Sequence, residues 1–222
     1  MGIIYKAALW DMDGTLFYTR PGIERALRET CLDLGLEAIR EEELETFIGP
    51  PVQDSMMRYY GMGREEAIKS AEHFRSIYHG EGYSMDCEPY PGIVEALREL
   101  KENGVGLAVA TLKKEPMAKK ICEKYGLSPL MDCVYGTDPA DKLKKHDIIA
   151  LCCRHFGIED FSEALMIGDS KYDAMGAERA GTPFLAVNYG FGFHPGDDLS
   201  EYKPIGVAAS PKDIVGFFLS AG

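Results

Sequence analysis

The 222-residue sequence has no C-x-x-C pair, no internal repeat and no low-complexity stretch. Its six cysteines, Cys31, Cys87, Cys122, Cys133, Cys152 and Cys153, form no Cys/His cluster of zinc spacing, so a structural zinc module is excluded. Unpaired thiols in a chain of this size point to a reducing compartment and a cytoplasmic protein. No apolar run approaches the length of a membrane span. The first, Ile3 to Trp10, is interrupted by Lys6 and ended by Asp11, the wrong flanks for a signal peptide. Lys6 also stands where a myristoylation signal wants Ser or Thr. A basic excess is missing too: 24 Lys and Arg face 36 Asp and Glu, for a formal net charge of −12 and a pI near 4.9. Such a surface repels phosphate backbones and anionic lipid, so neither nucleic acid nor membrane is an expected partner. The oligomeric state leaves no trace in the sequence.

What is present is ordinary globular composition, 45% hydrophobic and 27% charged, in a chain long enough for one large domain or a core with an insert. Short continuous apolar runs recur: Ala7–Trp10, Gly106–Ala110, Cys133–Tyr135, Ala164–Ile167 and Phe184–Val187. Continuous rather than alternating apolarity marks strands covered on both faces. Between them Ile93, Val94, Leu97 and Leu100, then Met117, Ile121 and Cys122, then Ile148, Ile149, Cys152 and Phe156 fall at helical spacing. Strands alternating with helices predict an α/β fold with a parallel sheet flanked by helices. The first two runs are too far apart for one helix. Residues 17–86 hold helical patterns only, marked by Ile23, Ala26, Leu27 and Leu34, by Met56, Met57 and Tyr60, and by Ala67, Ala71 and Phe74. They read as an inserted helical subdomain, leaving residues 1–16 and 87–222 as the core, with hinges near Leu16–Thr19 and Gly82–Pro89.

Four features stand at predicted strand ends, where open α/β sheets place ligands. Asp11-Met12-Asp13-Gly14-Thr15-Leu16 puts two carboxylates two residues apart beside a glycine that permits a sharp turn. Thr111, read as ending the second strand and followed by Leu112, offers a hydroxyl and backbone amides next to a helix start, an anion cradle or an ordinary helix cap. Lys142, Lys144 and Lys145 include a candidate to hold a phosphoryl charge, although a solvated basic run describes most such clusters. Gly168-Asp169-Ser170-Lys171-Tyr172-Asp173 sets Asp169 at a strand end and Asp173 one helical turn on. Up to four carboxylates then converge, and so many anions in one cleft call for a cation; all-oxygen ligation suits Mg²⁺.

In this order and at these strand ends, Asp11–Leu16, Thr111, a lysine before a helix and Gly168–Asp173 resemble the motifs of the haloacid dehalogenase-like hydrolase superfamily. Phe47-Ile48-Gly49-Pro50-Pro51 within the insert resembles the specificity loop of its phosphoglycolate phosphatase branch. The resemblance implies a modified Rossmann core with a helical cap and a Mg²⁺-dependent phosphatase acting on a small phosphate ester. It casts Asp11 as nucleophile and Asp13 as general acid and then base. Thr111 and Lys145, with Lys142 the runner-up, would stabilise the transferring oxygens. Gly49, Leu112, Thr111 and Lys145 would bind substrate. Asp11, Asp13 through its backbone carbonyl, Asp169 and Asp173 would hold the metal. The acid at position 13 excludes dehalogenase and phosphonate-cleaving relatives. A phosphosugar mutase retains it, but Phe17-Tyr18-Thr19-Arg20 does not resemble the mutase hinge. A non-catalytic phosphate-binding α/β module is the other alternative. Arg75, Tyr78 and His79 could face a substrate or simply form a helix surface. Tyr189, Phe191 and Phe193 read as packing against the hinge.

Overall fold

A computed structural model describes residues 4–138 and 142–219; the Met1-Gly2 start and Ile3 lie outside them. The chain forms two compact units, one up to Phe17 and from Pro89 onward, the other Tyr18–Glu88.

Chain order begins with β1 (Ala7–Trp10) and the two-residue β2 (Phe17–Tyr18), then α1 (Arg20–Asp33), α2 (Val52–Tyr60) and α3 (Arg64–Gly80). Next come β3 (Glu88–Pro89), which pairs with β2, and α4 (Ile93–Glu102). The rest alternates: β4 (Gly106–Lys114), α5 (Glu115–Lys124), β5 (Cys133–Thr137), α6 (Lys145–His155), β6 (Ala164–Gly168), α7 (Lys171–Ala180), β7 (Phe184–Val187), β8 (Gly206–Ala208) and α8 (Pro211–Val215).

The main sheet has six strands in the order β5-β4-β1-β6-β7-β8, and every pairing is parallel. All four residues of β1 are buried, as are those of β7. Each large apolar side chain so enclosed is worth about 1.5–3 kcal/mol, and this is why these strands read as unbroken apolar runs. One sheet face, carrying Leu9, Ala108 and Met166, packs on Ile148, Ile149 and Cys152 of α6 and on Ala174 and Ala177 of α7. The order reverses at β1, which pairs with β4 on one side and β6 on the other. A crevice opens at such a switch point, beyond the carboxyl ends of the strands.

The helical unit packs α3 against both α1 and α2. Ala67, Ala71 and Phe74 of α3 are buried, and Tyr78 is buried with its ring stacked on Phe74. Arg20 ties the start of α1 to Glu24, Glu41 and Glu45.

Three expectations are corrected. α1 stops at Asp33, so Leu34 lies beyond it and is exposed rather than continuing the buried stripe. Thr111 does not end its strand: β4 runs on to Lys114 through a register shift, Ala110 facing Tyr135 while Lys114 faces Thr137. Three residues on β4, Thr111–Lys113, thus stand opposite the single Gly136 on β5, and the extra length lifts them out of the ladder. Finally, β8 adds a sixth strand where no apolar run predicts one.

Candidate functional site

β1 delivers Asp11 to the crevice, and the Asp11 amide extends the ladder by donating to Ile167 O at 2.9 Å. The chain then turns back on itself, with Met12 O accepting from the amides of Leu16 and Phe17. Gly14 makes the turn possible at φ +82°, and a Cβ there would strike the Asp169 carboxylate. Asp169 follows β6 directly; Asp173 lies in the first turn of α7.

Lys145 is the hub. Its Nζ lies 2.5 Å from Asp11 Oδ1 and 2.6 Å from Asp173 Oδ1, and its side chain is 5% exposed. Lys142 and Lys144 are exposed; Lys145 opens α6 on the face that carries buried Ile148, Ile149 and Cys152. Asp173 is oriented from its other side as well, Oδ2 accepting from the Ser170 amide and hydroxyl at 3.1 and 2.6 Å. Asp169 turns Oδ2 to the amides of Phe191 (2.7 Å) and Gly192 (3.1 Å). Gly190 must be glycine here, because a Cβ would come within 2.5 Å of that same oxygen.

Asp11, Asp169 and Asp173 each offer an oxygen within 4.8 Å of the other two, all buried. Asp13 stands apart from this trio: its Oδ1 faces Lys113 Nζ at 3.2 Å. Burial, and then the Asp173 charge, push the Asp11 carboxyl well above the usual carboxylate range despite Lys145. The same two causes push Asp169 up to about 7. Burial pulls Lys145 down, but Asp11 and Asp173 outweigh it, so its ammonium is held more tightly than usual. Four carboxylates share two ammonium groups, and the deficit of two positive charges, in an all-oxygen donor set, fits a hard divalent cation such as Mg²⁺.

Thr111 is buried, its Oγ1 accepting the Lys113 amide at 3.1 Å. The half-buried Leu112 side chain packs on the sheet cluster. Gly49 lies in the helical unit, at φ +94° between buried Ile48 and Pro50. In that unit the Arg75 guanidinium donates to Gln53 Oε1 at 3.0 Å. Tyr189 donates its hydroxyl to Thr15 O and packs its ring on Tyr90, which follows β3. Phe193 does something else, packing with Phe184 and Tyr202.

The sequence profile of the haloacid dehalogenase-like hydrolases matches residues 8–187. The chain belongs to this family. Among its relatives, a 5'-nucleotidase of Pseudomonas aeruginosa is 31% identical over 201 residues, 90% of this chain and 89% of that protein. A phosphoglycolate phosphatase of Rhodospirillum rubrum is 31% identical over 221 residues, 96% of this chain and 91% of that one. The crystal structure of a predicted phosphatase from Clostridium acetobutylicum superposes with a TM-score of 0.86 at 30% identity, covering 96% of this chain and 97% of that one. As a family member the chain carries the hydrolase's α/β core, and its likeness to the phosphoglycolate phosphatase branch extends over nearly its whole length. No helix among the described residues is long and apolar enough to cross a membrane.

Proposed function

We propose that this haloacid dehalogenase-like hydrolase is a Mg²⁺-dependent phosphatase that hydrolyses a small phosphate monoester through a phosphoryl group carried on Asp11. The observation that carries the reading is the Lys145 bridge between Asp11 and Asp173, with Asp169 beside it and Asp13 two residues from the nucleophile. The relatives support the reaction class, since a phosphoglycolate phosphatase and a 5'-nucleotidase both match over most of the chain.

Asp11, Asp169 and the backbone carbonyl of Asp13 would hold the metal. Asp173, both of whose oxygens are engaged by Lys145 and Ser170, would reach it through water. Bound there, Mg²⁺ supplies the positive charge that neutralises the phosphoryl oxygens. Lys145 fixes the Asp11 carboxylate and stabilises charge on the transferring group. The Thr111 hydroxyl and the Leu112 amide hold the remaining oxygens. Asp11 attacks phosphorus; the phosphorus–ester oxygen bond breaks, and the leaving oxygen takes its proton from Asp13. Asp13, now ionised, takes a proton from water as that water attacks the phosphorus, the phosphorus–Asp11 bond breaks and inorganic phosphate is released.

The helical unit, residues 18–88, would act as the cap that carries Gly49 and sets substrate choice, closing to exclude bulk water. The protein would work in a reducing compartment such as the cytoplasm, in keeping with six cysteines that form no disulfide.

The test is hydrolysis of p-nitrophenyl phosphate with Mg²⁺, with EDTA, and after Asp11→Asn. Activity that needs Mg²⁺ and vanishes in the variant is expected, with acid-quenched wild-type protein carrying phosphate on the Asp11 peptide. Undiminished turnover by the variant would overturn the nucleophile. A panel of phosphoglycolate, mononucleotides and sugar phosphates then ranks substrates.

A further inference from the structure

Asp13, like Asp11, is a site carboxylate with no backbone or hydroxyl donor described above. Its Oδ1 is buried and receives no well-aligned hydrogen bond; what faces it is Lys113 Nζ at 3.2 Å, on a lysine side chain only 7% exposed. The charges of Asp11 and Asp169 both act against that of Asp13. An aspartate so repelled needs a counter-charge to stay near the nucleophile.

Lys113 is itself held in place. The register shift in β4 lifts Thr111–Lys113 from the ladder, and the Thr111 hydroxyl oxygen accepts the Lys113 amide. On β5, Gly136 lets the shifted strand lie close: a Cβ there would collide with Lys113 O and come within 2.7 Å of the Glu115 amide. The neighbouring Lys114 is turned elsewhere, donating to Asp138 O at 2.8 Å.

We infer that Lys113 is the positioning residue for Asp13: its ammonium holds the Asp13 carboxyl group where the leaving oxygen must find it. This rests on the proposed role of Asp13 as the acid for the leaving group. It does not require Lys113 to touch the substrate. Mispositioned, Asp13 would fail most where the leaving group most needs a proton and least where it departs readily as an anion.

The experiment is kcat/KM with Mg²⁺ across aryl phosphates of similar shape, from p-nitrophenyl phosphate to unsubstituted phenyl phosphate, whose phenol has a pKa of about 10. This parameter reports the step in which the ester bond breaks. The Lys113→Met variant is expected to lose about tenfold or more on phenyl phosphate but less than about threefold on the nitrophenyl ester. Lys113→Arg, which keeps the charge, should restore most of the phenyl activity. Asp13→Asn should show the same leaving-group dependence more steeply, and adding Lys113→Met to it should cost nothing further on phenyl phosphate. Equal loss across the series, no loss, or full additivity with Asp13→Asn would each overturn the inference. Two results would instead sink the reading beneath it: wild-type protein inactive on every ester, or Asp13→Asn with an unchanged leaving-group dependence.

Discussion

The four site carboxylates are held in two different ways. On the β6–α7 side, Asp169 and Asp173 are oriented by neutral donors of the chain itself, the amides of Phe191 and Gly192 and the amide and hydroxyl of Ser170, with Asp173 also meeting Lys145 through its other oxygen. On the β1 side, Asp11 and Asp13 face lysines borrowed from distant elements, Lys145 from α6 and Lys113 from β4. Backbone donors orient an anion without moving and survive loss of any one side chain. Ammonium groups add charge that a single substitution removes. The first pair suits a fixed cradle, the second a pair whose surroundings change during reaction.

Substitutions on the lysine-held side should cost the most. Asp11→Asn is expected to lower kcat by at least about 10³-fold, measured on p-nitrophenyl phosphate, with Mg²⁺ binding by calorimetry weakened far less than activity. Lys145→Met should follow, lowering kcat by about 10²–10³-fold. It also leaves two buried carboxylates without their shared cation, which should destabilise the metal-free protein by about 3–5 kcal/mol in urea titrations. A Lys145→Met protein as stable as wild type would break the comparison, because Asp11 would then not depend on its lysine.

A middle-sized effect is expected from pH. In the metal-free protein Asp169 is pushed up to about 7 and Asp11 is raised as well, in both cases by burial first and Asp173 next. Unfolded carboxyls titrate near about 4, so the folded state binds these protons more tightly. The stability they contribute is full below about pH 4 and is lost as pH rises through about 7. The urea midpoint of EDTA-treated protein should therefore fall between about pH 5.5 and 8, and Asp169→Asn should flatten the fall. Added Mg²⁺ should remove it. The smallest effect belongs to the backbone-held side: Ser170→Ala deletes one hydroxyl but leaves the Ser170 amide on Asp173. It should cost about 1 kcal/mol, read as a small drop in thermal midpoint with kcat changed only a few-fold.

The strands were legible where burial is complete. β1, β6 and β7 read directly as apolar runs because neither face meets water. β8 did not, since a three-residue edge strand with an exposed Val207 carries no such run. The extension of β4 past Thr111 was hidden for another reason: a register shift depends on pairing with β5 and has no composition of its own. Lys145 had a usable signal, standing three, four and seven residues before Ile148, Ile149 and Cys152 on the buried face of α6. The amides that hold Asp169 were invisible as residues, and only the alternation Gly190-Phe191-Gly192 hinted that backbone approaches something closely there. Lys113 looked like any lysine after a strand, because its direction is set by the same register shift. The descent of the sequence into a known family was legible in motif order, whereas the means of holding each carboxylate required coordinates.

The position of β1 has a consequence for how the molecule is made. Ala7 pairs with Gly106 on one side and Ala164 on the other, so β1 must wait for partners that lie far along the chain. Contacts this distant along the chain must overcome a large closure entropy before they return anything. A growing chain therefore exposes Asp11 and its apolar strand long before α7 brings Asp173. Catalytic competence should appear late in refolding and in a single step with the closing of β1 between β4 and β6, with no partly folded species able to turn over an ester.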